Sequence, residues 1–214
     1  MIVRSVNVAR ELAPQPRGKD TGIGKRPVAG PVEVRAPGPK RGGLGSALVG
    51  DRIGNARHHG GDDQAVYAFA REVLDHWQDV LGRDLPDGAF GENLTTAGVD
   101  VDAAVLGERW RVGEVVLQVT GPRIPCQTFR QAMQVPGWLR RFTEDARSGA
   151  YLRVITAGTI TAGDPIELVH RPAHGVTVPD AFRALLVDHS LRPGLLAAGD
   201  DLTAELRGAA TRRE

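Results

Sequence analysis

The sequence predicts a mostly β fold, a barrel of short strands that carries a few helices and ends in a small α-helical extension. Three observations predict it. The 214 residues include 27 glycines and 14 prolines, a frequency that suits tight turns between short strands better than long helices. Runs of β-branched and alternating residues recur through the first two-thirds of the chain. Near residue 171 the pattern turns to helical spacing.

Each element follows from its own residues. Ile2 to Val8 is rich in β-branched residues and reads as the opening strand. Val32-Glu33-Val34-Arg35 alternates apolar and charged residues, as a half-buried strand does. From Ala65 to Leu81 the apolar positions Val66, Phe69, Ala70, Val73, Leu74, Trp77, Val80 and Leu81 recur at spacings that make one helical face. Asp62 or Asp63 can cap this helix and Gly82 can end it, so Phe69 and Trp77 are expected in the core. Trp110–Val112, Val115–Val119, Tyr151–Ile155 and Ile166–Val169 read as further strands, punctuated by Gly107, Gly113, Gly158 and Gly163 at intervals suited to a closed or nearly closed barrel. A second helix is expected from about Gly137 to Ser148, after the break at Pro136.

Two units are expected, a barrel over residues 1–171 and an extension over 176–214. Arg171-Pro172-Ala173-His174-Gly175 links them, and Thr177-Val178-Pro179-Asp180 opens a capped helix with proline in its first turn. Phe182, Leu185, Leu186 and the later Leu195–Leu196 and Leu202–Leu206 give the extension small apolar stripes. About forty residues do not build a core easily by themselves. The extension should therefore pack on the barrel or on another subunit, which leaves a homodimer open.

Composition narrows the function. Hydrophobic residues make up 41% and charged residues 25%, close to an average globular domain. The formal net charge of +1 gives no global field to draw nucleic acid or an anionic membrane surface. No stretch approaches the roughly 18 apolar residues that cross a bilayer. The first residues lack a signal-peptide core. With one cysteine and no export signal, a reducing cytoplasm is the expected home.

That cysteine, Cys126, follows Gly121-Pro122-Arg123-Ile124-Pro125. It has no intramolecular disulfide partner, so it is a small buried residue, a nucleophile or a soft metal ligand. The prolines stiffen the backbone around the sulfur, and Arg123 lies close enough in sequence to favour a thiolate. Two other clusters carry chemistry. His58-His59-Gly60-Gly61 combines imidazoles with glycines that let a ligand approach the backbone. Taken alone, it reads first as an ordinary helix-entry loop with an exposed histidine pair. Phe90-Gly91-Glu92-Asn93-Leu94-Thr95-Thr96 gathers an acid, an amide and two hydroxyls, enough to bond the edge of a nitrogen-rich ring or to satisfy its own turn. A zinc site from His58, His59 and Cys126 lacks the paired spacing of structural zinc sites. A thiol hydrolase in which His59 activates Cys126 lacks a local signature. Gly22-Ile23-Gly24-Lys25-Arg26 has the wrong spacing for a P-loop.

Taken in order, these clusters resemble the MOSC domain family, named for the C-terminal domain of molybdenum-cofactor sulfurases. The matching segments are Gly50-Asp51, His59-Gly60-Gly61, Ala65-Val66-Tyr67, Phe90-Gly91-Glu92-Asn93-Leu94-Thr95, Gly107 to Gly113, and Pro122-Arg123-Ile124-Pro125-Cys126, followed by Leu152-Arg153-Val154-Ile155 and Ala162-Gly163-Asp164. They span Ile2 to about Val169. The tail is similar to the helical extension of the free-standing bacterial members, although shorter. No cysteine-desulfurase domain precedes the barrel, so pyridoxal phosphate is not expected.

The resemblance implies a MOSC-type β-barrel that binds the molybdenum cofactor, molybdopterin with its metal, through Cys126. It implies Glu92 and Asn93 at the pterin edge. Lys25, Arg123 and the backbone of Gly60 and Gly61 would then hold the phosphate. His59 would touch cofactor or substrate and supply a proton, with His58 as the competing candidate. The implied activity is reduction of small N-hydroxylated compounds such as hydroxylaminopurine to amines, with an external reductase supplying electrons because no iron–sulfur or flavin domain is present. Two other functions stay open. One is a sulfur or molybdopterin carrier that uses Cys126 as persulfide or ligand, and the other is a non-catalytic ligand-binding barrel.

Overall fold

In the computed structural model, residues 1–16, 20–55 and 58–212 are described. The last two residues of the expected extension lie outside them. The β-branched opening run forms β1 (Ile2–Val8), and β2 (Arg26–Pro27) and β3 (Val32–Val34) follow. The expected helix over 65–81 is two elements. Val66–Ala70 is a strand, β4, and only Arg71–Leu81 is helical, as α1. The physical reason is burial: every residue of β4 is buried, and an apolar run buried all round looks alike as strand or helix. In α1 the expected face holds only in part: Val80 is 45% exposed, and the residue before the helix is Ala70 rather than Asp62 or Asp63. Val73, Leu74 and Trp77 are buried, and Gly82 closes the helix in the left-handed region at φ 62°.

Next come β5 (Leu94–Ala97), β6 (Arg109–Val112), β7 (Val115–Pro122), α2 (Gln127–Met133), α3 (Trp138–Asp145), β8 (Ala150–Thr156), β9 (Gly158–Ile160) and β10 (Ile166–His170). One eight-stranded sheet runs β10-β6-β7-β8-β4-β5-β1-β2, and β3 pairs with β9 apart from it. All pairs are antiparallel except β4–β5. That parallel pair needs a long crossover, which α1 provides. Helices and strands thus mix, and the fold is α/β in content.

The sheet does not close into a barrel, and here the expectation is corrected. β1, next to the end of the order, meets the start of β10 and the turn before it at a seam, where Val3 N–H donates to Asp164 O at 2.9 Å, Gly163 N–H to Val3 O at 2.7 Å and Ile166 N–H to Met1 O at 3.0 Å, beside a single Ile2–Pro165 bridge. Pro165 has no N–H to extend the ladder, and β10 shifts register between Leu168 and His170.

Below the sheet, Phe90, Phe129, Trp138 and Phe142 are fully buried and meet mostly edge to face, with Phe90 and Phe129 centroids 5.0 Å apart. Such pairs add about 0.5–1.5 kcal/mol each beyond area burial. Phe182 reaches this cluster from the tail, 6.4 Å from Phe142. It belongs to α4 (Val178–Leu186), which opens with the expected capping box of Thr177 and Asp180. A 3-10 run from His189 to Asp201 and α5 (Ala204–Ala210) complete the tail. Val176 O accepts from Leu106 N–H and Val178 N–H donates to Ala104 O, so the tail is stitched to the strand region. Among the described residues no helix is long and apolar enough to cross a membrane.

Candidate functional site

Strand β7 ends at Pro122, and four residues later Cys126 stands in extended conformation as the residue before α2. That short connection brings the sulfur beside Arg123. Arg123 is 5% exposed. Its guanidinium carbon lies 3.5 Å from the centroid of the Phe129 ring and 5.8 Å from those of Tyr67 and Phe142. Aromatic faces attract the cation and replace part of its lost hydration. Among the described residues its Nη1 has no hydrogen-bond partner. A buried charged nitrogen left in that state costs free energy unless a ligand satisfies it.

Cys126 is half-buried. Burial pushes its thiol up, but a hydrogen bond with His59, the charge of Arg123 and the Phe129 backbone N–H outweigh it and bring the pKa down to about 7. The thiolate is thus accessible near neutrality, and a thiolate is what soft metals and electrophiles meet. Around it opens a cleft of about 290 Å³, the size of a small-molecule site.

Of the residues expected here, His59, Gly60, Lys25, Asn93, Arg123 and Cys126 all line this cleft. His59, not the exposed His58, meets the sulfur. Gly60 has φ 81°, and a Cβ there would lie 2.6 Å from Gly45 O. Only glycine fits that approach. Gly61 lies outside the cleft lining, in the neighbouring groove.

Glu92 also departs from its expected place. Its side chain is fully buried and accepts from Gly88 N–H at 2.6 Å, Phe90 N–H at 3.0 Å and the Thr95 hydroxyl at 2.9 Å. The carboxyl therefore closes its own loop and lines no part of the cleft. Burial pushes its pKa up, and those hydrogen bonds limit the rise to about 7. Asn93 borders the cleft, yet its amide is committed: Oδ1 accepts from Tyr67 N–H, and Nδ2 donates to Asp51 at 2.9 Å and Asn7 O. Lys25 is 8% exposed and its ammonium meets both Asp51 oxygens at 2.5 Å.

Sequence reasoning left Asp51, Tyr67, Tyr151 and Gln64 out of the site, and all four line the cleft. Asp51 had a signal, since it follows Gly50 at φ 88° in a matching segment. Tyr67 was hidden by its placement on a helix. Tyr151 hydrogen-bonds Arg123. Among the described residues no group of three or more His, Cys, Asp or Glu side chains is placed to hold a metal. With His58 exposed, the zinc arrangement does not assemble.

Comparison with known proteins places the chain in a family. The MOSC domain profile matches residues 55–167. The uncharacterized protein YflK of Bacillus subtilis (strain 168) is 32% identical over 183 residues, 85% of this chain and 79% of that protein. A protein named "Reductase" from Gibberella moniliformis (strain M3125 / FGSC 7600) is 31% identical over 134 residues, which cover 59% of this chain and 23% of that much longer protein. Among solved structures, YiiM from Geobacillus stearothermophilus superposes with a TM-score of 0.77 at 27% identity, covering 98% of this chain and 96% of that one. The chain belongs to the MOSC domain family.

Proposed function

We propose that this protein binds the molybdenum cofactor and reduces N-hydroxylated compounds to amines, with electrons from a separate reductase. One observation carries the reading: the sole cysteine, hydrogen-bonded by His59, shares a cleft with a buried guanidinium whose Nη1 lacks a partner. The residues fit the cofactor on both counts. A thiolate is a soft donor for its metal, and the unsatisfied guanidinium suits an anionic group such as its phosphate. The reductase-named relative supports an oxidoreductase, and a free thiol suits a reducing cytoplasm.

Cys126 would hold the metal, and Arg123 would meet the phosphate. Lys25 contributes less than expected there, because Asp51 already neutralises its charge. Bound in this cleft, the cofactor would supply two-electron chemistry. The overall change, R–NHOH + 2 H⁺ + 2 e⁻ → R–NH₂ + H₂O, breaks the N–O bond and consumes two protons. The His59 imidazole, beside the sulfur, is the side chain placed to donate one of them. Tyr67 and Phe90 in the lining would present apolar surface to a bound substrate.

The test is protein purified from a host that makes the cofactor, assayed for molybdenum and pterin and supplied with hydroxylaminopurine and an artificial electron donor. Conversion to the amine should require both metal and Cys126, and Cys126→Ala should abolish it while the fold persists. Full molybdenum loading without turnover of any N-hydroxylated compound would instead favour the carrier, which mass spectrometry of a Cys126 persulfide would identify.

A further inference from the structure

The cleft at Cys126 does not stand alone. A shallow groove of about 570 Å³ adjoins it and shares Gly60 and Gln64 with it. A smaller hollow of about 50 Å³ shares Gln64 and Tyr151 with the cleft, and Asp63, Gln64 and Glu205 with the groove. Gln64 lines all three, so the cleft, the groove and the hollow lie around one side chain. Its Oε1 is buried and among the described residues accepts no hydrogen bond. An acceptor left unpaired between cavities suits a ligand that brings an N–H there.

The far wall belongs to the tail. Glu205 stands in the first turn of α5, is exposed, and among the described residues has no hydrogen bond or ion pair. It is nonetheless close enough to Tyr151 for its charge to act on that hydroxyl. The other charges nearby are mostly spent. Arg153 pairs with Asp63, and Asp62 accepts from Gly38 N–H at 2.9 Å. Lys40 is left on the outer groove alone, whereas Glu205 borders both the groove and the hollow next to Tyr151. Three carboxylates against two cations leave the wall with an excess of negative charge.

We propose that the groove and hollow beside Gln64 are a substrate subsite in which Gln64 and Glu205 bind a cationic, N–H-bearing group remote from the N-hydroxyl, so that the tail selects amine-bearing substrates. The inference deepens the proposed reduction and rests on that reading for the word substrate. Binding to the subsite, however, is measurable without turnover.

The experiment uses the full chain and two amine products as probes, 4-(3-aminopropyl)aniline and its neutral counterpart 4-butylaniline, titrated calorimetrically into the parent, Glu205→Gln and Glu205→Asp. Glu205 is exposed, so neither substitution disturbs the core. The ratio of the two affinities should fall about fivefold in Glu205→Gln, a modest effect because the charge is partly screened by solvent, and stay near the parent value in Glu205→Asp. The corresponding N-hydroxy compounds, given to cofactor-loaded protein, should show the same change in KM with kcat unaltered. An affinity ratio unchanged in Glu205→Gln overturns the subsite, as does no measurable binding of the aminopropyl probe to the parent. Loss of the preference in Glu205→Gln without reduction of either N-hydroxy compound overturns the reductase reading and leaves the subsite standing.

Discussion

Lys25 and Asp51 form a buried ion pair, 8% and 1% exposed, in which the ammonium meets both carboxylate oxygens at 2.5 Å. Asp51 also accepts from Ala9 N–H at 2.8 Å, the Ser46 hydroxyl at 2.7 Å and the Asn93 amide at 2.9 Å. One carboxylate thus ties the residue after β1, the loop before β2, the loop at Ser46 and the residue before β5 together at the cleft. Removing either partner alone leaves a buried charge without compensation. Lys25→Met should therefore cost about 3–5 kcal/mol, whereas Lys25→Met with Asp51→Asn should cost clearly less than the sum of the two single changes. Urea denaturation of the four proteins measures the coupling. Additive losses would show that the pair carries no mutual stabilisation.

Much of this was legible before the structure. β1, β6 and β10 fall where alternation and β-branching put them, and the capping box at Thr177 marks the start of α4. What escaped was set by tertiary context. Val66–Ala70 lies between β8 and β5 with both faces covered, so its residues carry no alternation to separate strand from helix. β5 hid inside Phe90–Thr96 because its threonines turn inward, where Thr95 bonds Glu92 and Asn7. The polar residues there pointed to a site, yet Glu92 and Asn93 spend their hydrogen bonds on the fold. Cys126 and Arg123 stood out by their place in one short run, whereas only the folded chain brings His59 rather than His58 to the sulfur. Asp51 was not, since a lone acid gives no sign of its four partners until the chain is folded.

Cys126 should react as a thiol with a pKa of about 7. In protein without cofactor, the rate of iodoacetamide alkylation should rise with pH and level off above about 7. His59→Ala removes the hydrogen bond that most opposes the effect of burial, so the midpoint should move upward toward the ordinary 9 and the rate at pH 7 should fall several-fold. An unchanged midpoint would separate His59 from the sulfur.

Glu92 should make stability fall with rising pH. Its folded pKa of about 7 exceeds the ordinary 4.5, so the folded state holds a proton that the unfolded chain releases. Its contribution is complete below about 4.5 and is lost as pH climbs through 7, a change on the order of 3 kcal/mol across that window. Asp102, raised by burial to about 6, adds a slope of the same sign at lower pH, and the difference between parent and Glu92→Gln isolates Glu92. The variant should be less stable overall, because its amide meets two backbone N–H donors, but flatter between pH 4.5 and 7. Parallel pH–stability curves would show that Glu92 is ionised throughout.

Arg123 should be irreplaceable by lysine. Its guanidinium lies flat enough against Phe129 to bring the carbon 3.5 Å from the ring centroid, and its free Nη1 is the nitrogen assigned to the cofactor phosphate. Lysine keeps the charge but loses the planar fork and much of the stacking. A charge-assisted contact of this kind contributes about 1.5–3 kcal/mol, so Arg123→Lys should lower cofactor affinity by about ten-fold or more. Pterin and molybdenum content after dialysis at high salt measures it. Phe129→Leu keeps the charge and fork yet removes the aromatic face, and it should fall between parent and Arg123→Lys. If Arg123→Lys retains as much pterin as the parent, the phosphate is held elsewhere in the cleft, and the unpaired Nη1 must then be satisfied by water.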